Sequence, residues 1–378
     1  MKDLLEEVIA IRRDIHQHPE IAFDVERTAG IVAQYLENTG IDVKRNIGRT
    51  GVVGDIHVPG ATKRIALRAD MDALPIQEQG NKPYQSQSPG KAHLCGHDAH
   101  TAMLLGAAKM LSNMREQLTC HVRFIFQPSE ELFPGGAPAM IADGALEEVD
   151  AIYALHVWPT LETGVIGVCD GAAMAAPDSF DIMITGVGGH AALPQKTIQS
   201  IVVGADVVAA FHEAFPPKED AVVTVTQFHS GSAYNVIPDR AHITGTVRTF
   251  EDTVRHSIRE KMEEILKVMS EKKGASYSLE YHEGYPVTYN HDSAVKATTA
   301  IIPEVAEKMV FPAVRMLGGE DFAYYAQKIP GCFIQLGCRN EAKNCVYMLH
   351  DPRFDLDEEC MRYGINLHTR LALEGIQF

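Results

Sequence analysis

Five side chains that bind divalent metals well stand at or just past the ends of apolar runs in this 378-residue chain, and a spare carboxylate lies beside one of them. They are Cys95 and His97 in HLCGHDAHTA, Glu131 in QPSEE, His156 in ALHVWP and His350 in MLHDPRF; the spare carboxylate is Glu130. A tetrahedral zinc ion is complete with four protein ligands, or with three and a water at a catalytic centre. Five ligands exceed what one ion needs, and a thiolate sulfur can bridge two ions. The economical reading is therefore a dinuclear hydrolytic centre in which Glu130 is left free to act as general base. Cysteine with three histidines accepts Zn²⁺, while carboxylate with imidazole also suits Mn²⁺ or Co²⁺.

The chain is longer than one hydrophobic core usually organises, which predicts two domains. A net charge of -16 argues against the clustered Lys and Arg of a nucleic-acid binder. No apolar run approaches membrane-spanning length, and the opening MKDLLEEVIAIRRDIHQHPE is acidic early and lacks the uninterrupted apolar stretch of a secretion signal. Seven cysteines, an odd number without framework spacing, fit a reducing cytoplasm and free thiols. Apart from Cys95, they (Cys120, Cys169, Cys332, Cys338, Cys345 and Cys360) read as small core residues. The expectation is a cytoplasmic protein acting on a small molecule, with neither nucleic acid nor membrane as partner.

Residues 1–176 alternate helical and strand patterns: helices over Leu4–Ile15, Thr28–Asn38 and Asp98–Leu111, and strands over Val52–His57, Arg64–Ala69, His121–Phe126 and Ala151–His156. Short, nearly continuous apolar runs are expected where both faces of a sheet are covered, so the pattern predicts an α/β sheet with helices on its faces. The candidate ligands fall where these runs stop, and in open α/β sheets the carboxyl ends of strands are where ligands bind. Over residues 177–288 the order becomes strand Ser179–Val187, helix Ile198–Phe215, strands Val222–His229 and Ala241–Thr249, helix Glu251–Met269 and strand Tyr277–His282. That βαββαβ order is ferredoxin-like. CFIQLGC and MLHDPRFD then resume the first style. The reading is a discontinuous domain, 1–176 and 289–378, carrying the ligands, with an insertion at 177–288 whose junctions lie near Ala176-Pro177 and Tyr285-Pro286.

Cys95 precedes an apparent helix start, where the helix dipole and unpaired N–H groups favour a thiolate. His93 and His100 read as supporting or helix-face residues, and Asp70 and Asp72 in ADMDALP as carboxylates that coordinate or orient a histidine, Asp72 more readily the latter. Pro128 breaks strand pairing before the two glutamates, so both can turn toward a site at the strand end. In the insertion, His190 follows the glycine-rich GVGG; it is either an imidazole offered at a tight bend or a solvated loop side chain. Asn235 in NVIPD and Arg248 in GTVRTF supply an amide and a guanidinium suited to a carboxylate or carbonyl, although an arginine on a strand is also an ordinary surface charge.

Taken together, HLCGHDAHT, QPSEE, ALHVWP, GVGGHAALP, NVIPD, GTVRTF, GGEDFAYY and LHDPRFD resemble the M20 metallopeptidase superfamily. The likeness is to its amidohydrolase branch of aminoacylases, hippurate hydrolases, N-acetyl-diaminopimelate deacetylases and plant auxin-conjugate hydrolases, and it runs from RRDIHQHPE to the C-terminal region. The resemblance implies that Cys95, His97, Glu131, His156 and His350 bind two metal ions and that Glu130 is the base. It further implies that the insertion is a lid that also dimerises, with His190 reaching the partner's active site. Asn235, Arg248 and the Gly318-Gly319 turn are implied to hold the carbonyl and carboxylate of an N-acyl amino acid. The chain departs from the branch at Gln195, where a second histidine is usual, and at Gln199-Ser200, where an acidic residue and proline are usual; both bear on substrate preference. A dipeptidase or carboxypeptidase on the same scaffold is the nearest alternative. A non-catalytic metal-binding relative is the other, and the intact Glu130 speaks against it.

Overall fold

Apolar runs bounded by turn residues become strands, and in the computed structural model, which describes residues 2–374, eight of them form a mixed sheet. From edge to edge the order is Asp42–Ile47, Gly51–Ile56, His121–Gln127, Arg64–Asp70, Ala151–Glu162, Gly331–Arg339, Val165–Val168 and Lys308–Val310. The inner four, from His121–Gln127 to Gly331–Arg339, are parallel, so their carboxyl ends share one edge of the sheet. Every residue of Arg64–Asp70 is buried, which requires cover on both faces. The strand Asp42–Ile47 had no sequence signal because it is a largely exposed edge without apolar alternation. Ala151–Glu162 runs six residues past the close of its apolar pattern because Gly331–Arg339 pairs beside it as far as Glu162.

The helix His97–Asn113 is buried over most of its length, as expected of a helix apolar all round. It packs against Lys2–Gln17 and Cys360–Glu374. Its start is fixed by Gly96, whose φ of +92° suits glycine and whose missing Cβ leaves room for Val157.

Contacts divide the chain into one unit of Met1–Ala173, Thr288–Arg315 and Asp321–Phe378, and another of Met174–Val287 with Met316–Glu320. The second has its own core and a four-stranded antiparallel sheet in the order Ala221–Ser230, Arg240–Thr249, Ala176–Thr185, Ser276–His282. With helices Ser200–Ala214 and Asp252–Lys273 it makes the ferredoxin-like order. Alternation along Ala176–Thr185 sends Phe180, Ile182 and Ile184 into that core. Buried Asp178 ties the unit's entry to its exit: it accepts from Arg255 Nε (2.7 Å), Tyr281 Oη (2.7 Å) and the Gly284 N–H (2.9 Å). The segment Met316–Glu320 joins this unit because Met316 O and Gly318 O both accept the Ala175 N–H, at 3.1 and 2.9 Å. Such a short return, held by backbone bonds, leaves no apolar signature in the sequence. Among the described residues no helix is long and apolar enough to cross a membrane.

Candidate metal centre and active site

The carboxyl-end edge of the parallel strands gathers the proposed ligands. Asp70 ends its strand, Asp72 follows two residues later, and Glu130 and Glu131 lie just beyond Gln127. His156 lies within its strand rather than closing it, but pairing with Arg64–Asp70 stops at Arg68↔Ala154, so His156 projects past that neighbour. The ligating atoms of Cys95, His97 and His156 all lie within 4.8 Å of one another, as do those of Cys95, Glu131 and His350. Cys95 belongs to both sets, and its Sγ is 3.4 Å from His156 Nε2. His97 Nε2 is 3.9 Å from a carboxylate oxygen of Glu130 and of Glu131, and His350 Nε2 is 3.5 Å from Glu131 Oε1. The structure thus brings all five residues and Glu130 together. Cys95, His97, Glu130 and His156 are buried; the His350 side chain is 51% exposed and marks the solvent side.

Hydrogen bonding fixes the imidazoles. His97 Nδ1 donates to Asp72 O and His156 Nδ1 to Val157 O, each at 2.8 Å, which turns both Nε2 atoms to the cluster. His97 Nε2 and Glu131 Oε1 are buried without a hydrogen-bond partner. Buried polar atoms left unpaired cost about 1–3 kcal/mol each, so this donor set fits divalent cations. His100 does not fit that role: Nδ1 bonds Asp70 Oδ1 at 2.7 Å and Nε2 accepts the Val157 N–H at 3.0 Å, which occupies both nitrogens. His93 is buried outside these sets and is pushed down to about 3 by burial, so it is neutral.

Charge in the cluster is unbalanced toward carboxylate. Burial works against the His97 cation, yet Asp70, Asp72 and Glu131 raise it to about 10. Burial, and then Glu131, Glu130 and Asp70, push the Cys95 thiol well above its ordinary value. The helix start therefore does not make Cys95 a thiolate in the metal-free chain, because burial and nearby carboxylates outweigh a partial dipole charge. Burial and His100 hold His156 well below the usual range, as a neutral donor. Metal uptake near neutral pH should then displace protons from both Cys95 and His97, about two per molecule. Calorimetry in buffers of differing ionisation enthalpy reads this number directly, and uptake without proton release would contradict the charge balance. In the metal-free protein the raised His97 stabilises the fold fully below its ordinary value near 6.5, and that contribution is lost as pH rises through about 10.

The loop carrying the two glutamates is held at both ends. Asp72 accepts the Glu130 and Glu131 N–H groups at 2.9 and 3.1 Å. Buried Ser129 adopts φ +56°, a left-handed conformation uncommon outside glycine and costly enough to need the surrounding bonds. At the far end Asp321 accepts the Ala137 N–H at 3.0 Å, Gln127 Nε2 at 2.7 Å and Arg68 Nη2 at 2.9 Å. Burial pushes Asp321 up to about 6 despite Arg68. Arg68 also donates to Asp70 Oδ2 at 2.7 Å, which links this anchor to His100. On the other side of His97, Asp98 accepts from Arg12 Nε at 2.7 Å and pairs with His16 Nδ1 at 2.8 Å. Sequence reasoning missed Arg68, Gln127, Ser129 and Asp321; the available signal was an arginine inside the buried run RIALRAD.

In the second unit, His190 lies on the short strand Gly189–His190 and pairs with Val236, while the Ala191 N–H donates to Asn235 O at 3.0 Å. His190 and Asn235 therefore meet across one short antiparallel ladder, and both are exposed. Arg248 is half-buried on Arg240–Thr249 opposite Pro177, and Gly319 packs so closely on Pro177 that a Cβ would collide with it. Gly318 holds the Ala175 N–H through its carbonyl.

The profile of peptidase family M20/M25/M40 matches residues 66–374. The chain belongs to this family. The M20 chain is 44% identical over 291 residues to the N-acyl-L-amino acid amidohydrolase of Geobacillus stearothermophilus, covering 76% of the chain and 78% of that relative. It is 35% identical over 381 residues to thermostable carboxypeptidase 2 of Saccharolobus solfataricus, covering 99% and 96%. The crystal structure of the Bacillus subtilis YXEP protein, described as a dinuclear metal binding peptidase from the M20 family, superposes with a TM-score of 0.89 at 34% identity, covering 100% and 99%. As an M20 member the chain is a hydrolase of amide or peptide bonds.

Proposed function

We propose that this M20 chain is a dinuclear metal amidohydrolase that cleaves small N-acyl amino acids to a carboxylic acid and a free amino acid. The observation that carries this reading is Cys95 standing in two ligand sets at once, with the carboxylate of Glu130 beside them. Cys95, His97 and His156 would hold one ion, and Cys95, Glu131 and His350 the other; Zn²⁺ and Mn²⁺ suit the donors, as does Co²⁺. When bound, the ions supply Lewis acidity toward the scissile carbonyl and lower the pKa of water. Glu130 takes a proton from the attacking water as the new C–O bond forms, and returns it to the nitrogen as the C–N bond breaks. Asp72, through the Glu130 N–H, keeps that carboxylate in place.

On the second unit, His190 would donate a hydrogen bond to the carbonyl oxygen as charge develops there. Asn235, Arg248 and the Gly318-Gly319 backbone would hold the substrate's carbonyl and carboxylate. His190 would serve the active site of a second copy in a homodimer joined through this unit. Exposed Ile201, Val202, Phe228 and Val236, together with the free edge of Ala221–Ser230, support such an interface.

The test is a substrate panel with metal-loaded enzyme: N-acetyl, N-benzoyl and longer N-acyl amino acids beside dipeptides. N-acyl amino acids should be cleaved, and chelation should abolish turnover reversibly. Turnover confined to substrates with a free N-terminal amine would turn the reading to a dipeptidase. Arg248→Ala should lower kcat/KM for free-carboxylate substrates about 30-fold or more while sparing their methyl esters, as expected for loss of one partner of a buried charge pair. Equal losses for acid and ester would remove Arg248 from carboxylate recognition.

A further inference from the structure

RRDIHQHPE lies far along the chain from every proposed ligand, yet two of its polar side chains, Arg12 and His16, are wholly buried. A guanidinium taken out of water needs charged partners, and Arg12 has three. Its Nε donates to Asp98 at 2.7 Å, its Nη2 to Asp355 at 3.1 Å and its Nη1 to Glu358 at 3.2 Å. Asp98 directly follows His97, while Asp355 and Glu358 belong to the segment that leads away from His350. One planar fork therefore joins two stretches that carry proposed ligands.

Of the three histidine ligands proposed, His350 most needs such support. His97 is fixed in a helix and His156 in a strand, each with Nδ1 on a backbone carbonyl. His350 stands in a turn with φ +67°, a left-handed conformation that a histidine keeps only where its surroundings impose it. Its N–H donates to Leu94 O at 2.8 Å, which seats its backbone beside Cys95, but its side chain is exposed. A second set of bonds grips the residues that follow it. The Gln79 N–H donates to Pro352 O at 2.8 Å, Lys82 Nζ to Phe354 O at 2.6 Å and Tyr84 Oη to Asp355 Oδ2 at 2.8 Å. These donors come from the irregular stretch between Asp72 and Cys95, which RRDIHQHPE holds in turn: His16 Nε2 pairs with Glu78 at 3.0 Å, and the Arg12 guanidinium lies 4.9 Å from the Tyr84 ring centre.

We infer that Arg12 is a positioning residue for the metal centre: through its bonds to Asp355 and Glu358 it holds His350 against Cys95. The ion assigned to Cys95, Glu131 and His350 then depends on those two bonds, and the ion assigned to Cys95, His97 and His156 does not. This rests on the two-ion site of the proposed function. Lysine at position 12 keeps a cation for Asp98 but lacks the fork that reaches two further carboxylates.

The test measures Zn²⁺ affinity, by competition with a chromophoric chelator, in the full-length wild type, Arg12→Lys, His350→Ala and the double variant. Circular dichroism of each metal-free protein checks folding. The wild type should bind two ions. Arg12→Lys should weaken one of them about 10 to 100-fold, the scale expected when a ligand loses its outer support, and leave the other unchanged. His350→Ala should weaken one ion in the same way, and adding Arg12→Lys to it should change nothing further, because a residue that acts through His350 is silent once His350 is gone. A general loosening of the fold would instead lower both affinities or add to the His350→Ala effect. Either result, or unchanged binding by Arg12→Lys, overturns the inference. If Arg12→Lys does not fold, Asp355→Asn takes its place in all comparisons, with the same expected pattern and the same contrary results. A wild type that binds a single ion overturns the two-ion reading and this inference with it.

Discussion

Replacing Glu130 with glutamine should lower kcat by about 10² to 10⁴-fold while bound metal stays at the wild-type level. Glutamine keeps the size of the side chain and the Glu130 N–H bond to Asp72, so the loop has no reason to move. What is lost is the atom that accepts a proton from water and passes it to the leaving nitrogen. Distances alone do not separate the two glutamates, since His97 Nε2 is 3.9 Å from both. The assignment turns on Glu131, which lies in the set with Cys95 and His350 and has a buried oxygen lacking a hydrogen-bond partner. Metal analysis of the two Glu→Gln variants decides the matter: Glu131→Gln should lose metal and Glu130→Gln should retain it. The opposite pattern reverses the roles.

Mixing two dead variants should restore activity. If His190 of one copy serves the site built on Glu130 of another, Glu130→Gln and His190→Ala homodimers are each nearly inactive. Unfolding and refolding them together yields about half hybrid dimers, each with one intact site, so activity should recover to roughly a quarter of wild type. An exposed His190 on a short two-stranded ladder of the second unit is what makes the experiment informative, because its substitution disturbs no core. Hybrids confirmed by mass spectrometry but still inactive would place His190 in its own chain's site, and an active His190→Ala homodimer would remove it from catalysis.

The candidate metal cluster was legible because metal chemistry needs particular residue types at strand ends, and apolar runs reveal where strands end. Cys95, His97, Glu131, His156 and His350 could be singled out for that reason, and the structure brings them together with Glu130. The ferredoxin-like order was legible because alternation along strands such as Ala176–Thr185 differs from the continuous burial of Arg64–Asp70. The supporting bonds were not. Asp321 lies 253 residues from Arg68 in the chain, and no local pattern announces such a pairing. Ser129 is invisible for another reason: its left-handed backbone is imposed by bonds to Asp72 and Asp321 around it, not by its own preference. The raised Cys95 thiol was not legible because the burial and the carboxylates that push it up come from segments distant in the chain.

The position of Gly331–Arg339 between Ala151–Glu162 and Val165–Val168 has a consequence for synthesis. This interior strand of the sheet leaves the ribosome only after Ala176–His282, which supplies the other sheet and emerges whole well before it. The smaller unit can complete its core while the larger one still exposes the flanks of Ala151–Glu162 and Val165–Val168, apolar edges of the kind that pair with other chains. His350 arrives later still, so the candidate cluster of Cys95, His97, Glu131, His156 and His350 cannot assemble before that residue has been made. On the proposed ligand set, metal capture would follow the closing of the sheet by Gly331–Arg339.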